Sequence, residues 1–88
     1  MKNQQERRIC RVTLEEETVS FGGMLLKYQL FVRNCEEGRF LIHVQSGDEH
    51  MEAVLGNRVD SALKLYHAIV RGRVTPCGLQ DVVDDLLV

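Results

Sequence analysis

The sequence predicts an α+β domain: an antiparallel meander of three to four strands, covered on one face by a C-terminal helical hairpin. Three observations predict it. Residues 24–33 and 39–46 alternate apolar and polar side chains with period two, the signature of half-buried strands. Clusters of turn-forming residues separate the alternating runs. From Asn57 onward the apolar spacing changes to that of helix, in two amphipathic segments joined by Arg-Gly-Arg-Val-Thr-Pro.

The first strand is expected over about 9–17. Cys10, Val12 and Leu14 point one way and Arg11, Thr13 and Glu15 the other. Phe21-Gly22-Gly23 supplies the turn, because glycine adopts positive φ without steric cost. The second strand, 24–33, puts Met24, Leu26, Tyr28, Leu30 and Val32 on one face. After a loop at 34–38, the third strand, 39–46, puts Phe40, Ile42 and Val44 on one face. Pairing Leu30 with Ile42 sets Tyr28 opposite Val44 and Val32 opposite Phe40, which keeps the apolar residues together. Ser46-Gly47-Asp48-Glu49 is the next turn. Residues 50–55 read as a fourth strand with Met51, Ala53 and Leu55 inward, although Met, Glu, Ala and Leu also favour helix.

The first helix is expected over about 58–71. Asn57 is its N-cap, and Val59, Ala62, Leu63, Tyr66, Ile69 and Val70 form its stripe. Arg71-Gly72 ends it, with Gly72 taking the left-handed turn. The second helix is expected over about 76–87. Thr75 caps it, Pro76 occupies a first position that needs no amide, and Leu79, Val82, Val83, Leu86 and Leu87 form the stripe. Strands and helices each need a partner layer, so the helices cover one face of the sheet.

With 88 residues there is room for one domain, expected over 9–88 and preceded by a frayed N-terminal arm at 1–8. The net charge of −2 provides no global attraction to nucleic acid or anionic membranes. No apolar run approaches the ~20 residues of a membrane span, and the N-terminus lacks the apolar stretch of a signal peptide. Cys10, Cys35 and Cys77 are odd in number and widely spaced, which fits reduced thiols in a cytoplasmic protein.

The face opposite the helices carries Arg11, Thr13, Lys27, Gln29, Arg33 and His43, together with Leu25, Phe31 and Leu41. Phe31 falls opposite Leu41. Leu25, Phe31 and Leu41 are therefore the candidate contact surface for a homodimer or another protein. The second helix turns Asp81, Asp84 and Asp85 outward as a candidate acidic docking face. Arg7, Arg8, Arg11, Arg33 and Arg39 form a candidate basic zone near one sheet end. A helix–turn–helix suggests DNA binding, but three carboxylates facing phosphates oppose the term that supplies most of that affinity, so nucleic acid is disfavoured. Asp48, Glu49, His50 and Glu52 cluster at a turn without zinc-ligand spacing, and Gly22-Gly23 lacks a phosphate-loop context. Cys35 lies beside Glu36 and Glu37, which disfavour a thiolate. His43 is expected at the surface of its strand, and His67 on the polar edge of its helix. No catalytic, metal or cofactor-binding residue is assigned, and no cofactor is expected.

Thr75-Pro76 followed by Leu79-Gln80-Asp81-Val82-Val83-Asp84-Asp85-Leu86 resembles the ending of a family of small bacterial proteins of unknown function. The resemblance covers roughly residues 18–88. It implies short strands, a helix and a Pro-initiated acidic last helix, in a bacterial cytosolic setting, and brings no catalytic residues. The expected function is a non-enzymatic, cytoplasmic protein-interaction or regulatory module that associates with itself or another protein. A small-ligand or nucleic-acid-binding regulator stands second, an enzyme third.

Overall fold

The computed structural model describes residues 10–87. Ile9, the expected start of the first strand, and the expected arm at 1–8 lie outside them. Four strands, β1 (Arg11–Phe21), β2 (Met24–Arg33), β3 (Phe40–Ser46) and β4 (Glu49–Gly56), pair antiparallel in chain order. Two helices follow, α1 (Val59–Arg71) and α2 (Leu79–Leu87), with a 3-10 turn at Pro76–Gly78 between them. This is the expected α+β meander with a helical hairpin.

The β2–β3 register matches expectation: Leu30 pairs with Ile42, Tyr28 with Val44 and Val32 with Phe40. Residues 50–55 do lie in a strand, with Ala53 opposite Ile42; Ala53 and Leu55 are buried as expected, whereas Met51, expected inward, is exposed near the open end of the sheet. Leu26, Tyr28, Leu30, Ile42, Val44 and Leu55 are fully buried beneath Ala62, Tyr66 and Ile69 of α1 and Leu79 and Val83 of α2. At roughly 1.5–3 kcal/mol for each large apolar side chain removed from water, this cluster dominates the stability. Two buried phenols also fasten the layers. Tyr28 donates from its hydroxyl to the Val74 carbonyl at 2.9 Å, and Tyr66 donates to the Tyr28 carbonyl at 3.4 Å. Burial pushes both phenols above their ordinary value, so both remain protonated donors.

β1 differs most from expectation. It runs on to Phe21, which pairs with Met24 as part of the strand. Only Gly22 and Gly23 form the turn, at φ +60° and +80°; two consecutive positive φ values make the tight hairpin turn that matches strand twist. The register shifts between Thr13 and Glu15, so Leu14 sits in a bulge. Beyond the bulge, Glu15, Glu17 and Val19 pair with Leu30, Tyr28 and Leu26 and share their face. Val12 and Leu14 were expected to be inward but are exposed, Val12 at 60%. The reason is position: β1 is an edge strand, and the helices pack against β3 and β4.

The helix ends also differ. Arg58, not Asn57, occupies the N-cap position of α1, without a side-chain cap bond. Asn57 instead accepts the Arg39 amide on its Oδ1 at 3.0 Å, which ties the end of β4 to the start of β3. At the other end Gly72 keeps a right-handed φ of −80°, and Arg73 takes the left-handed conformation at φ +52°. The Arg73 amide donates to Val70 O and the Val74 amide to Ile69 O, the paired bonds of a Schellman closure displaced one residue beyond the glycine. Thr75 makes no side-chain cap bond, and Pro76 opens the 3-10 turn rather than the α-helix. Val59, Leu86 and Leu87, expected in the helical stripes, are exposed; Leu65 joins the buried side of α1 instead.

Candidate interaction surface

The sheet face away from the helices is where the sequence placed a contact surface. Phe31 and Leu41 do pair across it. They are not an open apolar patch, however, being 8% and 3% exposed. The Arg11 guanidinium lies 4.7 Å from the Phe31 ring centroid, a cation–π stack. From there it donates to Glu52 on β4, from Nη1 to Oε2 at 2.8 Å and from Nη2 to Oε1 at 3.3 Å. An arginine on one edge strand thus reaches a carboxylate on the other and covers the aromatic ring between them. Leu41 pairs with Val54 on β4 and lines, with Arg33 and Glu52, one end of a groove that continues to Gln80 and Asp84 of α2. Arg33 is held by its own loop, donating from Nε to Gly38 O at 2.7 Å. Gly38 has φ +67°, and a Cβ there would stand 3.0 Å from Arg33 Nη2 and 3.3 Å from Val54 Cγ1, so glycine lets the loop close against this face.

This clasp sets the electrostatics. The Arg11 hydrogen bond holds the Glu52 carboxyl below its ordinary range, and the same bond raises Arg11. His43 pairs with Glu52 in the β3–β4 register and is half-buried rather than fully at the surface. Its Nε2 is buried without a hydrogen-bond partner among the described residues. Desolvation lowers His43 below the ordinary histidine value, with Glu52 opposing and His50, Arg11 and Lys27 assisting. The His43 and His50 rings meet edge to face at 5.4 Å. Lys27 pairs with Glu16 at 3.4 Å. The cations of this face are therefore interleaved with carboxylates. Arg7 and Arg8 of the expected basic zone lie outside the described residues, and Arg11 and Arg33 have the partners above.

The open apolar surface is at the corner of the sheet. Pairing between β2 and β3 begins at Lys27 with Gln45, so the β1–β2 ribbon projects beyond the rest of the sheet. Its tip presents Phe21, Met24 and Leu25, exposed by 45%, 42% and 65%. Met24 and Leu25 border a mainly apolar notch of about 640 Å³ whose other wall is Ser46, Gly47 and Glu49 of the β3–β4 turn. Of the three residues expected to form a contact surface, only Leu25 belongs to this corner. By sequence pattern Phe21 falls in the turn and Met24 on the core face of the second strand. The missed signal is the length of residues 18–26, too long a hairpin for the strand that follows.

Asp81, Asp84 and Asp85 are all exposed, as expected. Asp84 accepts a hydrogen bond from Gln80 Nε2 at 2.9 Å. His67 is on the exposed side of α1, with Nε2 3.0 Å from Glu15 Oε1, which links the helix to β1. Asp48, Glu49 and His50 line an open cleft of about 360 Å³ with Met51, Pro76 and Cys77. Among the described residues, no group of three or more His, Cys, Asp or Glu side chains is placed to hold a metal ion. Among those residues, too, no helix is long and apolar enough to cross a membrane.

The class defined by this architecture is a two-layer α+β domain, with its open apolar surface at a projecting hairpin. No family model, curated protein or solved structure matches the chain.

Proposed function

We propose that the protein is a small interaction module that associates with a second copy of itself through the β1–β2 tip. The observation that carries this reading is the exposed corner of Phe21, Met24 and Leu25 beside its apolar notch. An isologous dimer needs one patch that complements itself, and an exposed apolar tip can pack against its own copy across a two-fold axis. Lateral pairing of the β1 edges is disfavoured by the sequence of that edge. A two-fold centred on Glu16 sets Glu16 opposite its copy and Glu15 opposite Glu17, and like charges directly opposite destabilise a strand pair. The bulge at Leu14 interrupts the same edge. Contact is thereby steered from the edge to the corner. Kinship with the small bacterial family of similar C-terminal sequence, and a cytoplasmic setting, belong to the same proposal.

Light scattering at tens of micromolar tests it. The expected result is a dimer that Leu25→Glu converts to a folded monomer with an unchanged circular dichroism spectrum, since Leu25 is exposed. A monomer under those conditions, indifferent to Leu25→Glu, refutes the proposal.

A further inference from the structure

The two edges of the sheet differ. β1 is guarded by Glu15, Glu16 and Glu17 and by the bulge at Leu14. β4 carries no lysine, arginine or proline, and its register shift, at Leu55, comes only at its end. The two-residue turn Gly47-Asp48 makes Ser46 and Glu49 the hydrogen-bonded pair that closes the β3–β4 hairpin. Hydrogen-bonded and non-hydrogen-bonded pairs then alternate, so His50, Glu52 and Val54 turn their amides and carbonyls away from β3. Among the described residues, no backbone group outside the ladder hydrogen-bonds to them. Beside Glu52 and Val54 runs a groove of about 440 Å³. Its wall on α2 is Gln80, Val83, Asp84 and Leu87, the i, i+3, i+4, i+7 spacing of a single helix face. Its β4 side is Glu52, Ala53 and Val54. Neighbouring strand residues point to opposite faces of a sheet, so a groove lined by all three wraps around the edge of the strand. Ala53 and Val83 are buried in it, and Val54 and Leu87 flank them, exposed by 43% and 51%. The two walls differ in charge. On α2, Asp84 accepts from neutral Gln80, no cation among the described residues pairs with it, and Asp81 and Asp85 stand exposed nearby. On the other wall lies Arg33, and Glu52 is held there by Arg11.

We infer that the groove between β4 and α2 receives an extended, basic segment of a partner protein, which adds to the sheet as a fifth strand. The outward amides and carbonyls of Glu52 and Val54 supply its main-chain hydrogen bonds, and alternate side chains of the segment enter the groove. An aliphatic side chain on the helix side fits over Val83 beside Leu87. The next side chain on that side, two residues on and roughly 7 Å away, is a lysine or arginine that reaches Asp84. The cation belongs on the α2 side because Arg33 repels it from the other wall. A second copy of β4 is the poorer occupant, since a two-fold at this edge brings two acidic α2 helices together. The groove is separate from the hairpin tip, so the inference does not rest on self-association at Leu25.

The test is selection of random octapeptides displayed on phage against the intact chain, followed by titration of the enriched peptides and mapping by backbone amide resonances. The expected peptides share an aliphatic residue and, two positions on, a lysine or arginine, and they shift resonances at 50–55 and 80–87. Asp84→Lys, an exposed change that leaves the circular dichroism spectrum unaltered, weakens them roughly tenfold, as a like-charge contact replaces an ion pair. Exchanging the peptide's cation for glutamate restores binding to that variant. N-methylation of the alternate peptide amides that face β4 abolishes binding, and N-methylation of the intervening ones does not. Leu25→Glu binds the same peptides, which separates this result from that of self-association. Absence of enrichment, peptides indifferent to Asp84→Lys, or peptides that shift residues 20–27 instead would overturn the inference. So would shifts of the Glu52 and Val54 amides on dilution of the protein alone, which would give this edge to a second copy.

Discussion

Replacing Tyr28 with Phe removes one oxygen from the contact that joins the inter-helix connection to the sheet. The side chain is fully buried, and its hydroxyl is 2.9 Å from the Val74 carbonyl. A net intramolecular hydrogen bond contributes about 1 kcal/mol, and a carbonyl left without its donor adds part of a 1–3 kcal/mol desolvation penalty. Val74 is half-buried, so water restores some of that loss. The expected cost is about 1.5 kcal/mol, or roughly 6–12 °C in Tm for a domain of this size. Tyr66→Phe provides the internal comparison. Its bond to the Tyr28 carbonyl is longer, at 3.4 Å, and that carbonyl belongs to a strand paired on both sides, so the expected cost is about 0.5 kcal/mol. Urea unfolding monitored by circular dichroism measures both, with the midpoint lowered and the slope unchanged. If Tyr28→Phe lay within 0.5 kcal/mol of wild type, or if Tyr66→Phe were the costlier change, the helices would not be fastened as described.

The remaining predictions concern the clasp, the helix end and pH. A double-mutant cycle with Arg11→Ala and Glu52→Ala should give a coupling of only about 0.5 kcal/mol, because both side chains are 38% exposed and screened by water; a value above 2 kcal/mol would contradict that placement. Arg73→Val should cost about 2 kcal/mol, since a β-branched residue is strained at φ +52°, whereas Arg73→Gly should lie within 0.5 kcal/mol of wild type; equal losses in thermal melts would rule out a left-handed Arg73. His43 has a lowered pKa in the folded state, so the unfolded chain binds its proton first. Its contribution is complete above the ordinary value of 6.5 and is lost as pH falls from there through the folded pKa. His43→Gln should flatten that limb of the stability profile, and an unchanged profile would mean that His43 is not desolvated. Tyr66 has the opposite sign, a raised folded pKa. Its stabilisation holds below the ordinary 10.0 and fades as pH rises through the folded value, so Tyr66→Phe should reduce alkaline sensitivity.

The central strands were legible in the sequence because both restraints on them are local. Alternation fixes the face, and the 34–38 loop fixes the register, so the pairing of Leu30 with Ile42 follows from one hairpin. β1 was less legible because its alternation says nothing about coverage. Val12 alternates correctly and remains exposed, as the helices lie over other strands, and a one-residue bulge at Leu14 then turns Glu15 and Glu17 toward the helical side. The cap of α1 was misassigned for a similar reason. Asn57 has cap chemistry, but the Arg39 amide from the neighbouring strand competes for its oxygen. The acidic exterior of α2 was visible from helical spacing alone. The corner was not, because it arises from a difference in length between two strand pairs. The covering of Phe31 was not either, because Arg11 and Glu52 are 41 residues apart and meet only across the whole sheet.

Self-association at the hairpin tip is most directly tested by following backbone amide resonances as the protein is diluted from millimolar to micromolar concentration. The account predicts shifts concentrated at residues 20–27 and 46–49, fitting one dimer dissociation constant and vanishing in Leu25→Glu. Resonances that do not move on dilution, or that move only around Asp81, Asp84 and Asp85, would contradict it.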